Sequence, residues 1–251
     1  MGFQLSDACF PDFSAAFLFA HSFACSTFAQ NLLDIFKFMK NKAALFDLDG
    51  VIIDTEPAYS AFWTHVGNIY FPNDKHFAES IKGHSLTDIF ATYFSDNAEA
   101  QEKVTLMLKE QEERMSFPLI EGGLRIVGNL RENGWKTAIV TSSNKAKMAH
   151  LYSEHPEFCN LFDAIFTAED ALRSKPAPDC YIHAANVLGC KAQDCVVFED
   201  SISGLQAARS SGAYVVGLTT SHGRDIIAPL ADVVIDTWAD YEKTLVSKMK
   251  I

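Results

Sequence analysis

Basic residues are scarce in this chain. Its 251 residues carry 21 Lys and Arg against 32 Asp and Glu, a formal net charge of -11. A surface so short of cations cannot neutralise a phosphate backbone, so sequence-independent nucleic-acid binding is excluded. Cysteine is also sparse: Cys9, Cys25, Cys159, Cys180, Cys190 and Cys195, with no CxxC pair. No Cys/His cluster has the spacing of zinc ligands. The six thiols read as reduced, mostly packed side chains of a cytoplasmic protein. A long apolar run is missing too. The stretch "FSAAFLFAHSFACS", Phe13 to Ser26, is interrupted by Ser and His and has no basic start. It is too short to span a bilayer and does not look like a secretory signal. There is no internal repeat and no low-complexity tract.

What is present is unevenly placed. The first 38 residues hold nine of the twenty phenylalanines and one basic residue, Lys37. The remainder, from "MKNKAALFDLDG" at Met39, begins like a domain with a short basic lead into a first strand. Residues 1–38 read first as an extension ahead of a native start at Met39, with a poor signal or anchor and a family-specific extension as the alternatives.

From Lys42 the pattern is one strand, a helical insertion, then alternating helices and strands. "AALFDLD" is a short buried run. It puts Asp47 and Asp49 two residues apart, and so on the same face of a strand. Residues 57–117 carry only helical signals. Pro57 suits a first turn, Ser85 with Asp88 suits a cap, and "NAEAQEKVTLMLKEQEERM" is rich in helix formers. After "FPLIEGG" come "KTAIVTSS", "FDAIF", "CVVFED", "AYVVGL" and "DVVID" as strands, with helices between them and a closing helix in "WADYEKTLVSKM". Strands alternating with helices predict an α/β fold: a Rossmann-like, doubly wound parallel sheet with a helical cap inserted after the first strand. The expected division is 39–56 and 118–251 for the core and 57–117 for the cap.

In such sheets, ligands bind beyond the carboxyl ends of the strands. Asp47 and Asp49 follow the first strand, Thr141, Ser142 and Ser143 the second, Lys175 lies after the third, and Glu199 and Asp200 end the fourth. Several carboxylates in one crevice demand a cation, and carboxylate oxygens suit a hard ion such as Mg²⁺. A lysine and small hydroxyls add donors for an anion. Together they describe phosphoryl transfer through an aspartyl-phosphate.

"FDLDGVIIDTE", "AIVTSS", "SKPAPD" and "VVFEDSISGLQAARSSG" resemble, in order, the four motifs of the haloacid dehalogenase superfamily. The resemblance runs from about Met39 to the C-terminus. It implies Asp47 as nucleophile and Asp49 as general acid/base. It further implies Thr141 as a hydrogen-bond partner of the transferring phosphoryl group and Lys175 as the holder of Asp47 and the phosphate. Asp47, the backbone carbonyl of Asp49, and Asp200 with Glu199 close by would form the Mg²⁺ shell. Ser142 and Ser143 are candidate substrate contacts. In the cap, "IKGHSLTD" supplies Lys82, Gly83, His84 and Ser85, and the first cap helix supplies Trp63.

The second aspartate favours oxygen-ester chemistry over dehalogenation, because an alkoxide leaving group needs a proton. The layout resembles β-phosphoglucomutase and its phosphatase relatives. Those mutases carry a histidine where this chain has Tyr59, and a phosphate-gripping arginine where it has Leu86. The expected function is thus a Mg²⁺-dependent phosphatase acting on a small phosphate ester, with a sugar phosphate as the substrate class. The alternatives are a sugar phosphomutase, an inorganic pyrophosphatase and a non-catalytic phosphometabolite-binding module. A monomer without nucleic-acid or membrane partners is expected.

Overall fold

A computed structural model describes residues 43–82, 86–241 and 243. The expected extension at residues 1–38 and the cap-loop residues Gly83, His84 and Ser85 lie outside the described residues. Strand β1 (Ala43–Phe46) leads into the helical insert: α1 (Glu56–Tyr70), α2 (Phe77–Ser80), α3 (Leu86–Tyr93) and α4 (Ala98–Glu112). Then follow α5 (Gly123–Glu132), β2 (Lys136–Val140), α6 (Lys145–Glu154), α7 (Phe158–Leu161), β3 (Ala164–Phe166), α8 (Asp179–Val187) and β4 (Cys195–Glu199). The chain continues through α9 (Ile202–Ser211), β5 (Tyr214–Leu218), α10 (Arg224–Ile227) and β6 (Val233–Ile235). Trp238 to Tyr241 are helical, and the rest of the expected closing helix lies almost wholly outside the described residues.

The six strands form one parallel sheet in the order β3-β2-β1-β4-β5-β6. The predicted fold is therefore the observed one. β1 lies at the centre, and the chain winds outward from it first through β2 and then through β4. That reversal is the switch point beyond which an open α/β sheet leaves a crevice.

Both faces of the sheet are covered, which is why its strands read as unbroken apolar runs. Alternate residues Ala43, Leu45, Ala138, Val140, Cys195, Val197 and Val215 pack with Tyr181 and Ala184 of α8 and with Leu205 and Ala208 of α9. The intervening residues face an aromatic layer. Phe46 and Phe198, paired across β1 and β4, stack with centroids 4.7 Å apart, and the buried Trp238 leans on both. Its indole N–H donates to the Val51 carbonyl at 2.9 Å and so ties the end of the sheet to the turn after β1.

The insert has its own apolar cluster. Phe62, Val66, Phe77, Ile81, Ile89, Phe94, Ala100 and Val104 are buried together. Phe77 stacks on Phe71 and meets Trp63 and Tyr93 edge-on. Gly67 lets Phe77 approach, because a Cβ there would lie 2.9 Å from the ring. Asn97 caps α4, its side chain accepting from Ala100 N at 3.0 Å.

One local expectation is corrected. Asp47 and Asp49 do not share a strand face, because β1 ends at Phe46. The Asp47 N–H still donates to Phe198 O at 2.9 Å, but the chain then turns, with Val51, Ile52 and Ile53 N–H all directed at Leu48 O. Gly50 makes the turn at φ +74°, where a side chain is strained, and a Cβ there would overlap the Asp200 carboxylate.

Candidate active site

The carboxyl ends of β1, β2 and β4 bring Asp47, Thr141, Glu199 and Asp200 together, and the loop before α8 brings Lys175 to them. Lys175 is nearly buried and spends its three N–H groups at once. It donates to Asp47 Oδ1 at 2.6 Å, Glu199 Oε1 at 2.7 Å and Val140 O at 3.1 Å. Its ammonium also lies 5.1 Å from the centroid of the Tyr181 ring. Burial disfavours its charge, but Asp47 and Glu199 outweigh that and raise its pKa.

Glu199 is fully buried and serves five donors. Lys175 and the Tyr181 hydroxyl, at 2.8 Å, reach Oε1. Asp200 N, Ser201 N and Ser201 Oγ reach Oε2 at 2.9, 3.0 and 3.0 Å. Two carboxylate oxygens have about four acceptor sites. Glu199 is therefore committed to anchoring Lys175 and the start of α9. It belongs to the acidic group expected to hold a metal, but it has no spare lone pair to offer one.

Asp47 and Asp200 differ in this respect. Asp47 Oδ2 and Asp200 Oδ1 accept no hydrogen bond from the described residues. Asp200 Oδ2 is held by the Ser221 hydroxyl, while Thr220 gives its one hydroxyl proton to Gly50 O at 2.6 Å and lies 3.3 Å from Oδ2. Burial, then the charges of Glu199 and Asp49, outweigh Lys175 and push the Asp47 carboxyl up to about 7. Burial, then Glu199 and Asp47, lift Asp200 well above the usual carboxylate range.

Ligand oxygens of Asp47, Glu199 and Asp200 lie within 4.8 Å of one another. Three buried carboxylates face one ammonium, so with all three ionised the group would carry an excess of two negative charges. Buried charge of this kind is tolerated when a cation compensates it. An all-oxygen donor set with two uncommitted carboxylate oxygens fits a hard divalent ion.

Asp49 has a separate environment. Its Oδ1 accepts from Thr55 at 2.6 Å and from Lys147 at 2.7 Å, and its Oδ2 accepts from Ser143 at 2.9 Å. Burial alone would raise its pKa, but Lys147 and these hydrogen bonds hold it below the usual range. The Lys147 side chain is only 3% exposed and also donates to the Tyr59 hydroxyl at 2.8 Å. Tyr59 donates onward to Glu112 at 3.0 Å. Sequence reasoning missed Lys147. Its signal was present: on α6 it shares the buried stripe of Met148 and Leu151, a place where a lysine needs a partner.

Thr141 Oγ1 accepts from Ser143 N at 3.0 Å, so its own proton is available to a ligand. Ser142 and Ser143 line the same cavity of about 450 Å³ as Asp47, Asp49, Lys175 and Asp200. The insert closes the other side with Tyr59, Trp63, Lys82 and Leu86. Trp63 also packs edge-on against Phe62 at 5.0 Å. Lys82 is paired with Glu56 at 2.7 Å. Cys180 and Cys195 are buried and Cys159 is exposed, and these three are free thiols.

Fold and site together are those of a hydrolase family. Residues 44–218 match the haloacid dehalogenase-like hydrolases, and the chain belongs to that family. It is similar to validoxylamine A 7'-phosphate phosphatase of Streptomyces hygroscopicus subsp. limoneus, 27% identical over 201 residues, covering 77% of this chain and 92% of the relative. It is likewise similar to the β-phosphoglucomutase of Bacillus subtilis, 27% identical over 212 residues, covering 79% and 91%. Among solved structures, the HAD hydrolase of family IA, variant 3, from Entamoeba histolytica HM-1:IMSS superposes with a TM-score of 0.70 at 21% identity, over 83% of this chain and all of that one.

Proposed function

We propose that this enzyme is a phosphatase of a small phosphorylated metabolite, most simply a sugar phosphate, working through an aspartyl-phosphate with Mg²⁺ as its cofactor. The observation that carries the reading is the uncommitted Oδ2 of Asp47, beside Lys175 and Asp200 and facing a cavity of metabolite size. In this reading residues 57–117 act as a cap, and residues 39–56 with 118–251 as the catalytic core.

Asp47 Oδ2 attacks phosphorus, and the bond from phosphorus to the ester oxygen breaks. The electron pair leaves with that oxygen, which takes a proton from Asp49. Asp49 is ionised in the empty site, and the incoming phosphoryl charge opposes that ionisation, so the proton is taken up as substrate binds. Asp49 then accepts a proton from water as the water oxygen attacks the phosphoenzyme. Phosphate leaves and the Asp47 carboxylate is restored. Thr141 donates to a phosphoryl oxygen, and the Lys175 ammonium, held against Asp47 Oδ1, lends its charge to the phosphoryl group. Asp47, Asp200 and the Asp49 carbonyl would hold Mg²⁺, which would supply charge neutralisation for both the carboxylates and the phosphate.

The mutase relative makes the competing reading concrete. A mutase must hold a second phosphate, yet the lysines lining the cavity among the described residues (Lys82, Lys147 and Lys175) are all paired with carboxylates. Leu86 lines the cavity where the mutase pattern has its arginine. Hydrolysis of a monophosphate is favoured. We further take the enzyme to be a cytoplasmic monomer with no membrane or nucleic-acid partner. No helix among the described residues is long and apolar enough to cross a membrane.

The test is phosphate release from a panel of sugar phosphates, other phosphate esters and pyrophosphate, with Mg²⁺ and with chelator. Release from at least one ester, lost with chelator and reduced about 10³-fold or more by Asp47→Asn, is expected. Unchanged turnover in Asp47→Asn ends the covalent mechanism. Glucose 6-phosphate formed from glucose 1-phosphate faster than free phosphate establishes the mutase instead.

A further inference from the structure

We propose that Lys147 is a positioning residue that fixes the Asp49 carboxylate so that only one lone pair of Oδ2 is left to work, and that Tyr59 and Glu112 of the insert hold Lys147 in place. This rests on Asp49 being the acid/base.

The argument is an accounting of acceptor sites. A carboxylate offers about four. On Asp49, Thr55 and Lys147 take both sites of Oδ1, and Ser143 takes one of Oδ2. What remains is a single site on Oδ2. A carboxyl group free to rotate would present either oxygen in several orientations, and a proton transfer that must coincide with bond breaking gains from fixed geometry. The three donors come from three places: Thr55 at the exit from the core, Ser143 after β2, and Lys147 on α6. They act as a tripod.

Lys147 is the costly member of that tripod and therefore the informative one. A buried ammonium needs full compensation. Asp49 supplies the charge, and Tyr59 supplies a second acceptor at 2.8 Å and a ring face 4.9 Å away. The Tyr59 hydroxyl, having accepted from Lys147, gives its own proton to Glu112. Tyr59 stands on α1 and Glu112 ends α4, so both outer members of the chain belong to the insert while Lys147 and Asp49 belong to the sheet-bearing part. The ammonium is thus gripped by both parts. If the insert moves away, Lys147 loses its second acceptor and the tripod loosens.

Leaving-group dependence separates positioning from mere structure. An alkyl phosphate needs a proton on its departing oxygen, whereas nitrophenolate leaves p-nitrophenyl phosphate without one. The kcat/KM for both esters is measured in wild type, Asp49→Asn, Lys147→Met, Lys147→Arg and Tyr59→Phe, using whichever alkyl ester the panel selects. In Lys147→Met the loss on the alkyl ester is expected to exceed the loss on the aryl ester by about tenfold or more. Asp49→Asn should show the same bias more strongly, and Lys147→Arg should recover part of it. Equal losses on both esters in Lys147→Met, with the bias intact in Asp49→Asn, overturn the proposal. No bias in Asp49→Asn removes the acid/base reading beneath it. If Lys147→Met does not fold, Tyr59→Phe decides. Loss of that hydroxyl should tilt kcat/KM in the same direction, and an equal loss on both esters overturns the proposal.

Discussion

Glu199 shows how little a residue's type says about its task. The sequence places it beside Asp200, and both read as metal carboxylates. In the structure one residue is saturated by five donors and the other keeps an oxygen free. The difference is local. Glu199 ends β4 and turns back to its own chain, while Asp200 begins the loop. Because all five partners of Glu199 are donors, Glu199→Gln must aim its NH₂ at donors in either orientation. Thermal unfolding should show a loss on the order of 3 kcal/mol, with Lys175 loosened and activity reduced. Gly204 reinforces this, since a Cβ there would overlap the Glu199 carboxylate. Asp47, Asp49, Thr141, Lys175 and Asp200 were legible because each stands in a short motif at a strand end. Lys147, Tyr181 and Ser221 were not. They carry no motif of their own, and their roles exist only as distances to Asp49, Glu199 and Asp200.

At the scale of elements, the strands were legible from their apolar runs, because a sheet covered on both faces writes continuous hydrophobicity into the chain. Their ends were less so. "FDAIF" yields a strand only over Ala164–Phe166, since Asp163 turns to cap the Thr137 N–H at 2.8 Å. In α5 the buried apolar side chains are Ile126, Val127 and Leu130, while Leu124 is half-exposed. The insert was legible as helical, but its packing was not, because its aromatic residues come from three helices and the turns between them. Phe77 is the centre of that packing. Phe77→Ala should cost about 3–5 kcal/mol locally. Hydrogen exchange should show loss of protection in α1 and α3 with the six strands unaffected, and KM should rise more than kcat falls. Loss of protection across the whole sheet would mean that the insert and the core unfold as one unit.

For the molecule as a whole, the buried acidic group makes stability depend on pH in an unusual direction. Asp47, at about 7, and Asp200 both stand above their unfolded values. A carboxyl raised by folding favours the folded state fully below its unfolded pKa, near 4, and loses that contribution as pH rises through its folded value. Without metal, these two groups should therefore make the protein less stable at pH 8 than at pH 5.5. A divalent ion that saturates its site a hundredfold stabilises by about 2.7 kcal/mol. The rise in melting temperature on adding Mg²⁺ should be larger at pH 8, where no proton competes for Asp47 and Asp200. A larger rise at pH 5.5 would show that the ion binds elsewhere. The position of β1 has a consequence of another kind. Its two neighbours in the sheet are β2 and β4, and β4 begins at Cys195, about 150 residues after β1 ends. At a synthesis rate of roughly 5–20 residues per second, the apolar strand that leads into Asp47 waits on the order of ten seconds for its second partner to be made. Throughout that interval one edge of β1 stays open, and the nascent chain is most exposed to wrong pairing at the strand that will hold its most demanding chemistry.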